Sequence, residues 1–358
     1  RKAVQSMAGT AVAVIGGVDT HGHTHQAAAI DSAGRVLGNA EFPVSTRGYR
    51  ELLAWMQGLG PIESVGVEGT GSYGAGLCRH LLEEGIRVIE VDRPDRKTRR
   101  TRGKSDPIDA ESAARAVLSG TATSTPKDRR GVVESIRMLR IARSGAVKSR
   151  TSAVNALRTT VLTAPAALRA SLEPHSPARL IDTCRCLRPD CERLDDPVHG
   201  AKLALRTIAS RIEALDTEIR SLDRALARLV HDVAPATISL LGIGVDHAGQ
   251  LLVSAGQNPE RLHSEAGFAR LCGAAPIPAS SGRTSRHRLS RGGDRQANRA
   301  LHMAVVVRLR RCPRTRAYVE RRTAEGLSKP EIMRCLKRYL AREVYHALRA
   351  DLSVLAGA

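Results

Sequence analysis

The stretch AVAVIGGVDTHGHTHQAAAID, residues 11–31, decides the fold class. Its first eight residues are apolar or small without interruption and run into Asp19, the pattern of a strand buried on both faces. HQAAAID then forms a second strand, Ser32–Gly34 a turn, and RVLGNAEFPV, residues 35–44, a third strand closing a hairpin. Helical spacing covers about 46–58. ESVGVEG, residues 63–69, is another strand, YGAGLCRHLLEEG a helix and RVIEVD a further strand. Three strands in series followed by alternating helix and strand predict a mixed sheet with helices packed on it, in the order of a ribonuclease-H-like layout. The segment AGTAVAVIGG has the length of a signal-peptide core, but it meets Asp19 with no small-residue cleavage site and is read as a strand. Residues 1–11 are expected to be disordered.

Four carboxylates fall at informative points of this layout. Asp19 ends the first strand and Glu68 ends the ESVGVEG strand. Asp106 and Asp109 open a helix in TRRTRGKSDPIDAESAARAVLSG, residues 98–120, with Asp106 expected at the N-cap, Pro107 at the first helical position and Asp109 at the third. The spacing of three sets both aspartates on one side of that helix. They directly follow the densest basic run of the chain, Arg96, Lys97, Arg99, Arg100, Arg102 and Lys104. Carboxylates there weaken the grip on a polyanion unless a divalent cation stands between. Hard ions such as Mg²⁺ or Mn²⁺ take oxygen ligands, and a pair of them clamps a scissile phosphate. Taken singly, Asp106 reads better as a plain N-cap.

Composition points the same way. Lys and Arg number 56 against 36 Asp and Glu, a formal charge of +20. Clustered positive charge implies a nucleic-acid partner, because neutralising phosphates releases counterions. Aromatic residues make up only 2% of the chain, so stacking on single-stranded bases is disfavoured and contact with backbones and duplex shape is expected. Seven cysteines at irregular spacings suit a reduced, cytoplasmic protein, and no apolar run reaches the length of a membrane span.

Beyond the sheet domain the chain turns helical. Residues 130–162 form a long helix carrying Arg137, Arg140, Arg143, Lys148, Arg150 and Arg158, and 164–200 is irregular with short helices. Leu205, Ile208, Ile212, Leu215, Ile219, Leu222, Leu226 and Leu229 step by three and four, an a/d seam that predicts a coiled coil. Its partner is either the 130–162 helix or another subunit. LLGIGVDHAGQLLVSAG, residues 240–256, has the form of a helix-hairpin-helix whose Gly242 and Gly244 would aim backbone N–H groups at a phosphate; the alternative is a tight turn between core helices. In APIPASSGRTSRHRLSRGG, Ser280 and Ser281 precede Gly282, and Arg283, Arg286, Arg288 and Arg291 are placed to orient phosphates. Two zinc readings carry less weight: His21, His23 and His25 as alternating ligands, which read better as lining the edge of the acidic site or facing solvent, and Cys184, Cys186, Cys191 and His199 as a knuckle of unusual spacing, which reads better as a run of free thiols.

Taken in order, GVDTHGHTHQAAAID, VGVEGTGSYGAGL, KSDPIDAESAARAVLSG, LLGIG and RLCGAAPIPASSGRTSRHRLSRGG resemble the DEDD-type transposases of the insertion sequence 110 group, related to pilin-gene DNA invertases. The resemblance implies a RuvC-like domain of the ribonuclease H fold over 12–125, a helical coiled-coil connector over 126–234 and a helical transposase domain over 235–352. It implies that Asp19, Glu68, Asp106 and Asp109 hold Mg²⁺ or Mn²⁺ and that Ser281 is the essential serine, with Ser280 beside it as the other candidate. Further implied are DNA substrates, a structured non-coding guide RNA and a homo-oligomer. One departure is Gly22-His23 after DTH, where the group often has Lys-Asp. Rival readings are a RuvC-like hydrolytic nuclease indifferent to Ser281, a sugar-kinase-like ATPase suggested by GVDTH and GTGSYG, and a non-catalytic nucleic-acid-binding protein.

Overall fold

The computed structural model describes residues 12–91, 105–280 and 286–357. By packing, the chain divides into two units, residues up to Gly131 with Ala255–His263, and Val132–Ser254 with the chain from Ser264 onward.

In the first unit the strands are β1 (Val14–Thr20), β2 (Thr24–Asp31), β3 (Val36–Pro43), β4 (Ile62–Glu68) and β5 (Val88–Val91). They form one sheet in the order β3-β2-β1-β4-β5. β1 pairs antiparallel with β2 and parallel with β4, and β5 continues the parallel half. This mixed five-stranded sheet with flanking helices is consistent with the expected ribonuclease-H-like layout. Alternation along β1 and β4 assigns the two faces. Val18, Val65 and Val67 point into an apolar core with Leu52, Leu53 and Met56 of α1 (Thr46–Leu59) and Leu77 and Leu81 of α2 (Ala75–Glu83). The opposite face carries Ile15 and Ile30 against Ala114 of α3 (Asp106–Leu118).

The segment Ala255–His263 returns to this unit by polar clamps. Asn258 Nδ2 donates to Pro126 O at 3.2 Å and its Oδ1 accepts from Asp128 N at 3.0 Å. Arg261 donates to Thr125 O at 3.0 Å and faces Glu90 at 3.5 Å, while Glu90 accepts from Thr70 Oγ1 at 2.6 Å. Nothing in local sequence pattern announced this return.

The second unit is helical. α4 (Val132–Leu162) packs against α7 (Pro197–Val233), with the short α5 (Ala166–Leu172) and α6 (Pro177–Arg185) between them in sequence. The seam residues Leu205 and Ile212 bury with Ala153 and Leu157, and Arg143–Asp223 and Arg150–Asp216 ion pairs flank the contact. Both pairs fit one antiparallel register, so the long α7 seam finds its partner within the chain. α8 (Pro235–Ile238), α9 (Val245–Ala255), α10 (Glu265–Leu271), the hairpin strands β6 (Ile277–Pro278) and β7 (His287–Arg288), α11 (Arg295–Arg311), α12 (Pro313–Ala324) and α13 (Lys329–Gly357) follow. At the start of α13 Ser328 N donates to Glu331 Oε2 at 2.9 Å, the reach-back half of a capping box. Among the described residues no helix is long and apolar enough to cross a membrane.

Candidate active site

Two glycines build the site. Gly17 of β1 and Gly66 of β4 are paired in register and both face α3. A Cβ on Gly17 would stand 2.2 Å from Ala110 O and 2.3 Å from Ala114 N, and one on Gly66 would stand 2.9 Å from Ala113 O. The helix therefore lies directly on the backbone of the two central parallel strands. Ala114 packs near Ile15 at the start of β1, so α3 runs antiparallel to that strand and its first turn reaches the strand's carboxyl end. Two residues beyond the glycines, on the same face, stand Asp19 and Glu68. Carboxyl ends of parallel strands are where open α/β sheets bind ligands.

The first turn of α3 departs from the sequence expectation in a way that matters. Ser105, in extended backbone, is the N-cap, and Asp106 is the first helical residue. The main-chain carbonyl of Ser105 accepts from Ile108 N and Asp109 N, each at 3.0 Å, and no side chain caps the helix. The Asp106 carboxylate, half exposed, is thus not consumed by capping. It lies 3.6 Å from His21 Nε2, which is itself 3.1 Å from Asp19 Oδ2. Ligand atoms of Asp19, His21 and Asp106 all fall within 4.8 Å of one another, the one such group among the described residues.

Asp19 is 7% exposed and Asp109 is 4% exposed. Burial raises the Asp19 pKa above the ordinary carboxylate value; His21 opposes that rise, and the negative charges of Asp109 and Asp106 add to it. Carboxylates crowded until one resists ionisation form a donor set that a hard divalent cation relieves. The residues fit such an ion. Glu68 is half-buried at the end of β4, and its main-chain carbonyl accepts from Thr20 Oγ1 at 2.9 Å, tying the two strand ends together.

Of the three alternating histidines, only His21 joins the acids. His23 is exposed, and His25 is fully buried in β2, stacked on Tyr49 with ring centroids 5.8 Å apart. Burial holds the His25 pKa below its ordinary value. The three histidines do not gather as ligands, because only His25 lies in β2, where it is buried, while His21 and His23 sit in the turn ahead of it, His21 N donating to Thr24 O at 3.2 Å. His21 thus lines the acidic site and His23 faces solvent, the two placements that the sequence favours for these histidines over zinc ligation.

The remaining candidates divide. Arg96, Lys97, Arg99, Arg100, Arg102 and Lys104 lie outside the described residues, as do Ser281 and Arg283. Ser280 is exposed, and its Oγ accepts from Arg286 N at 3.3 Å. Arg286 and Arg288 line a cavity against α13, and Arg291 is exposed. Gly242 has φ +91° and would bring a Cβ within 2.7 Å of Ala304 O, so close helix packing alone accounts for it, while Gly244 faces open space. Cys184 is buried, Cys186 and Cys191 are exposed, and His199 Nδ1 accepts from Asp190 N at 2.8 Å; among the described residues they gather no metal group.

Comparison with known proteins agrees with this geometry. A DEDD-type family model of IS110 elements, described as a transposase, matches residues 16–164, and the model of the transposase IS116/IS110/IS902 family matches residues 236–320. The chain is 30% identical over 158 residues to the insertion element IS900 uncharacterized 42 kDa protein of Mycobacterium paratuberculosis, covering 42% of this chain and 40% of that protein. It is 30% identical over 151 residues to the insertion element IS110 uncharacterized 43.6 kDa protein of Streptomyces coelicolor, covering 41% of this chain and 37% of that protein. The matched region thus spans about two fifths of each relative's length. Carrying both transposase domains in this order, the chain belongs to the IS110 family of transposases.

Proposed function

We propose that this protein is a site-specific DNA transposase that cuts and rejoins strands, with Asp19, Glu68, Asp106 and Asp109 forming a cation-holding pocket and Ser281 acting as nucleophile. The observation that carries the reading is the meeting of Asp19 and Asp106, 87 positions apart in the chain, around His21 at the carboxyl end of β1. Mg²⁺ or Mn²⁺ bound there supplies charge neutralisation at a phosphate. The chain's own part is to hold the carboxylates on rigid strand ends and a helix terminus, with His21 bridging them. The Ser281 hydroxyl attacks phosphorus, forming an O–P bond as the bond to the leaving strand oxygen breaks; the hydroxyl proton goes to that oxygen. The phosphoserine link keeps the diester's energy, so attack by a second strand's hydroxyl rejoins DNA without a nucleotide cofactor.

Selection of DNA by a structured guide RNA belongs to the same proposal. It is supported by the +20 charge and the scarcity of aromatic residues, which suit gripping backbones while base pairing reads sequence. Assembly of several copies is proposed on the half-buried Leu215, Ile219 and Leu222 of α7 and the exposed Met138 and Ile141 of α4, apolar surface that one helix pair leaves uncovered.

The test is Ser281→Ala in a strand-exchange assay with Ser280→Ala beside it. Recombination and a covalent protein–DNA adduct should both vanish in the Ser281 variant while binding persists. Cleaved but unjoined products that ignore Ser281 would establish the hydrolytic nuclease instead.

A further inference from the structure

The second unit holds a cavity of about 550 Å³ between the β6–β7 hairpin, the end of α12 and the first half of α13. Its character is set by one buried cation. Lys337 is 6% exposed, and its Nζ donates to Asn298 Oδ1 at 2.9 Å. Asn298 cannot be turned round, because its Nδ2 donates to Cys272 O at 2.8 Å and to Gly273 O at 3.0 Å. The amide oxygen is therefore held toward the ammonium by two main-chain carbonyls. An ammonium carries three donors and a full charge; a single neutral oxygen satisfies neither.

The carboxylates nearby are already engaged. Glu331 accepts from Ser328, Glu325 pairs with Arg322, and Glu265 takes Arg338 at 3.1 Å and Arg342 at 3.1 Å. Among the described residues no carboxylate lies within ion-pair distance of Lys337. More positive charge lines the same space: Arg286, Arg288 and Arg334, the last held by donating to His287 O at 3.3 Å. Burial, reinforced by Arg334, also pushes the Lys337 pKa down, the response of an ammonium lacking an anion. A buried cation left without a counter-charge in an open, arginine-lined cavity is a costly arrangement that an entering anion relieves.

We infer that this cavity binds a backbone phosphodiester of nucleic acid, with Lys337 as its buried ligand and Arg334 and Arg288 flanking it. The choice of nucleic acid over other anions rests on the transposase reading; the basic cavity itself does not.

The experiment uses the full chain, a labelled DNA duplex and, separately, a labelled RNA hairpin, titrated over a range of salt concentrations. Lys337→Met should weaken binding roughly tenfold or more, and the slope of log K against log salt should become shallower by about one. Its thermal midpoint should stay level or rise, because an uncompensated charge has been removed. A purely structural lysine would instead lose stability and leave the salt slope alone, and that outcome overturns the proposal. Arg334→Gln, on the half-buried wall, repeats the binding readout should Lys337→Met fail to fold; unchanged affinity and slope for both probes overturn it as well. Loss confined to the duplex assigns the phosphodiester to DNA, and loss confined to the hairpin assigns it to RNA. Strand transfer plays no part in these measurements, so failure of the serine mechanism and failure of the cavity are separately visible.

Discussion

The carboxyl edge of the β-sheet and the cavity against α13 are opposites in charge, and each is unbalanced in its own way. At the sheet edge Asp19, Asp106 and Asp109 crowd together, with one imidazole between the first two, until burial and mutual repulsion lift the Asp19 pKa. In the cavity the buried Lys337 ammonium meets a neutral amide, and among the described residues no carboxylate lies within ion-pair distance of it, while Glu331 on the cavity wall faces Arg286 and Arg334 instead. A stable protein with no further task pairs such groups or leaves them in water. The contrast teaches that this chain stores two complementary electrostatic deficits, one suited to a divalent cation and the other to a phosphate. Both are needed by a protein that works on nucleic-acid backbones.

The largest expected effect breaks the acidic half. Asp19→Asn or Asp106→Asn should lower strand cleavage by roughly 100-fold or more, measured as product formation at saturating Mg²⁺, without loss of thermal stability. Cleavage surviving in both variants would remove the sheet edge from the chemistry. His21→Ala sharpens the same half: a fall of about tenfold with weakened Mn²⁺ binding, read by titration calorimetry, makes His21 a ligand or its positioner.

Next comes the platform beneath the acids. Gly17→Ala forces a Cβ into the main chain of α3 and should cost about 1–3 kcal/mol in urea unfolding. An exposed Gly58→Ala, where nothing stands within 4 Å, serves as the control. Smaller still is a pH effect. His25 has a lowered folded pKa, so the folded state binds fewer protons than the unfolded state once the pH falls toward about 6.5. Stability is therefore lost on acidification through that region, and His25→Leu should narrow or reverse its deficit against the parent between pH 8 and pH 5. A difference that stays constant with pH would show that His25 is not the titrating group. The smallest change is Arg150→Met, removing the Arg150–Asp216 pair between α4 and α7, which should shift unfolding by less than about 1 kcal/mol because the pair is partly exposed.

Sequence pattern carried the element order far. β1 through β5, the helix after the basic run and the long α4 and α7 were legible from apolar runs, glycine punctuation and three-four spacing, which are local properties of the chain. The site was legible in part: Asp19 and Glu68 announced themselves as acids ending apolar strands. The role of Ser105 as N-cap was not, because Ser105, Asp106 and Pro107 each suit a helix start and only the extended backbone at Ser105 chooses among them. Lys337 was invisible, since a lysine three residues after Arg334 on a basic helix looks like a solvated face until neighbours cover it.

By itself, then, the amino-acid order determined which segments become strands and helices, the excess of positive charge and the candidate acids, because periodicity and composition act within a few residues. Only the tertiary structure decided that α7 pairs within the chain, that residues 255–263 return to the sheet unit, that His21 alone of its three joins the aspartates, and that Lys337 is buried beside Asn298. Those outcomes depend on register, face and burial between segments far apart in sequence, and no local pattern encodes them.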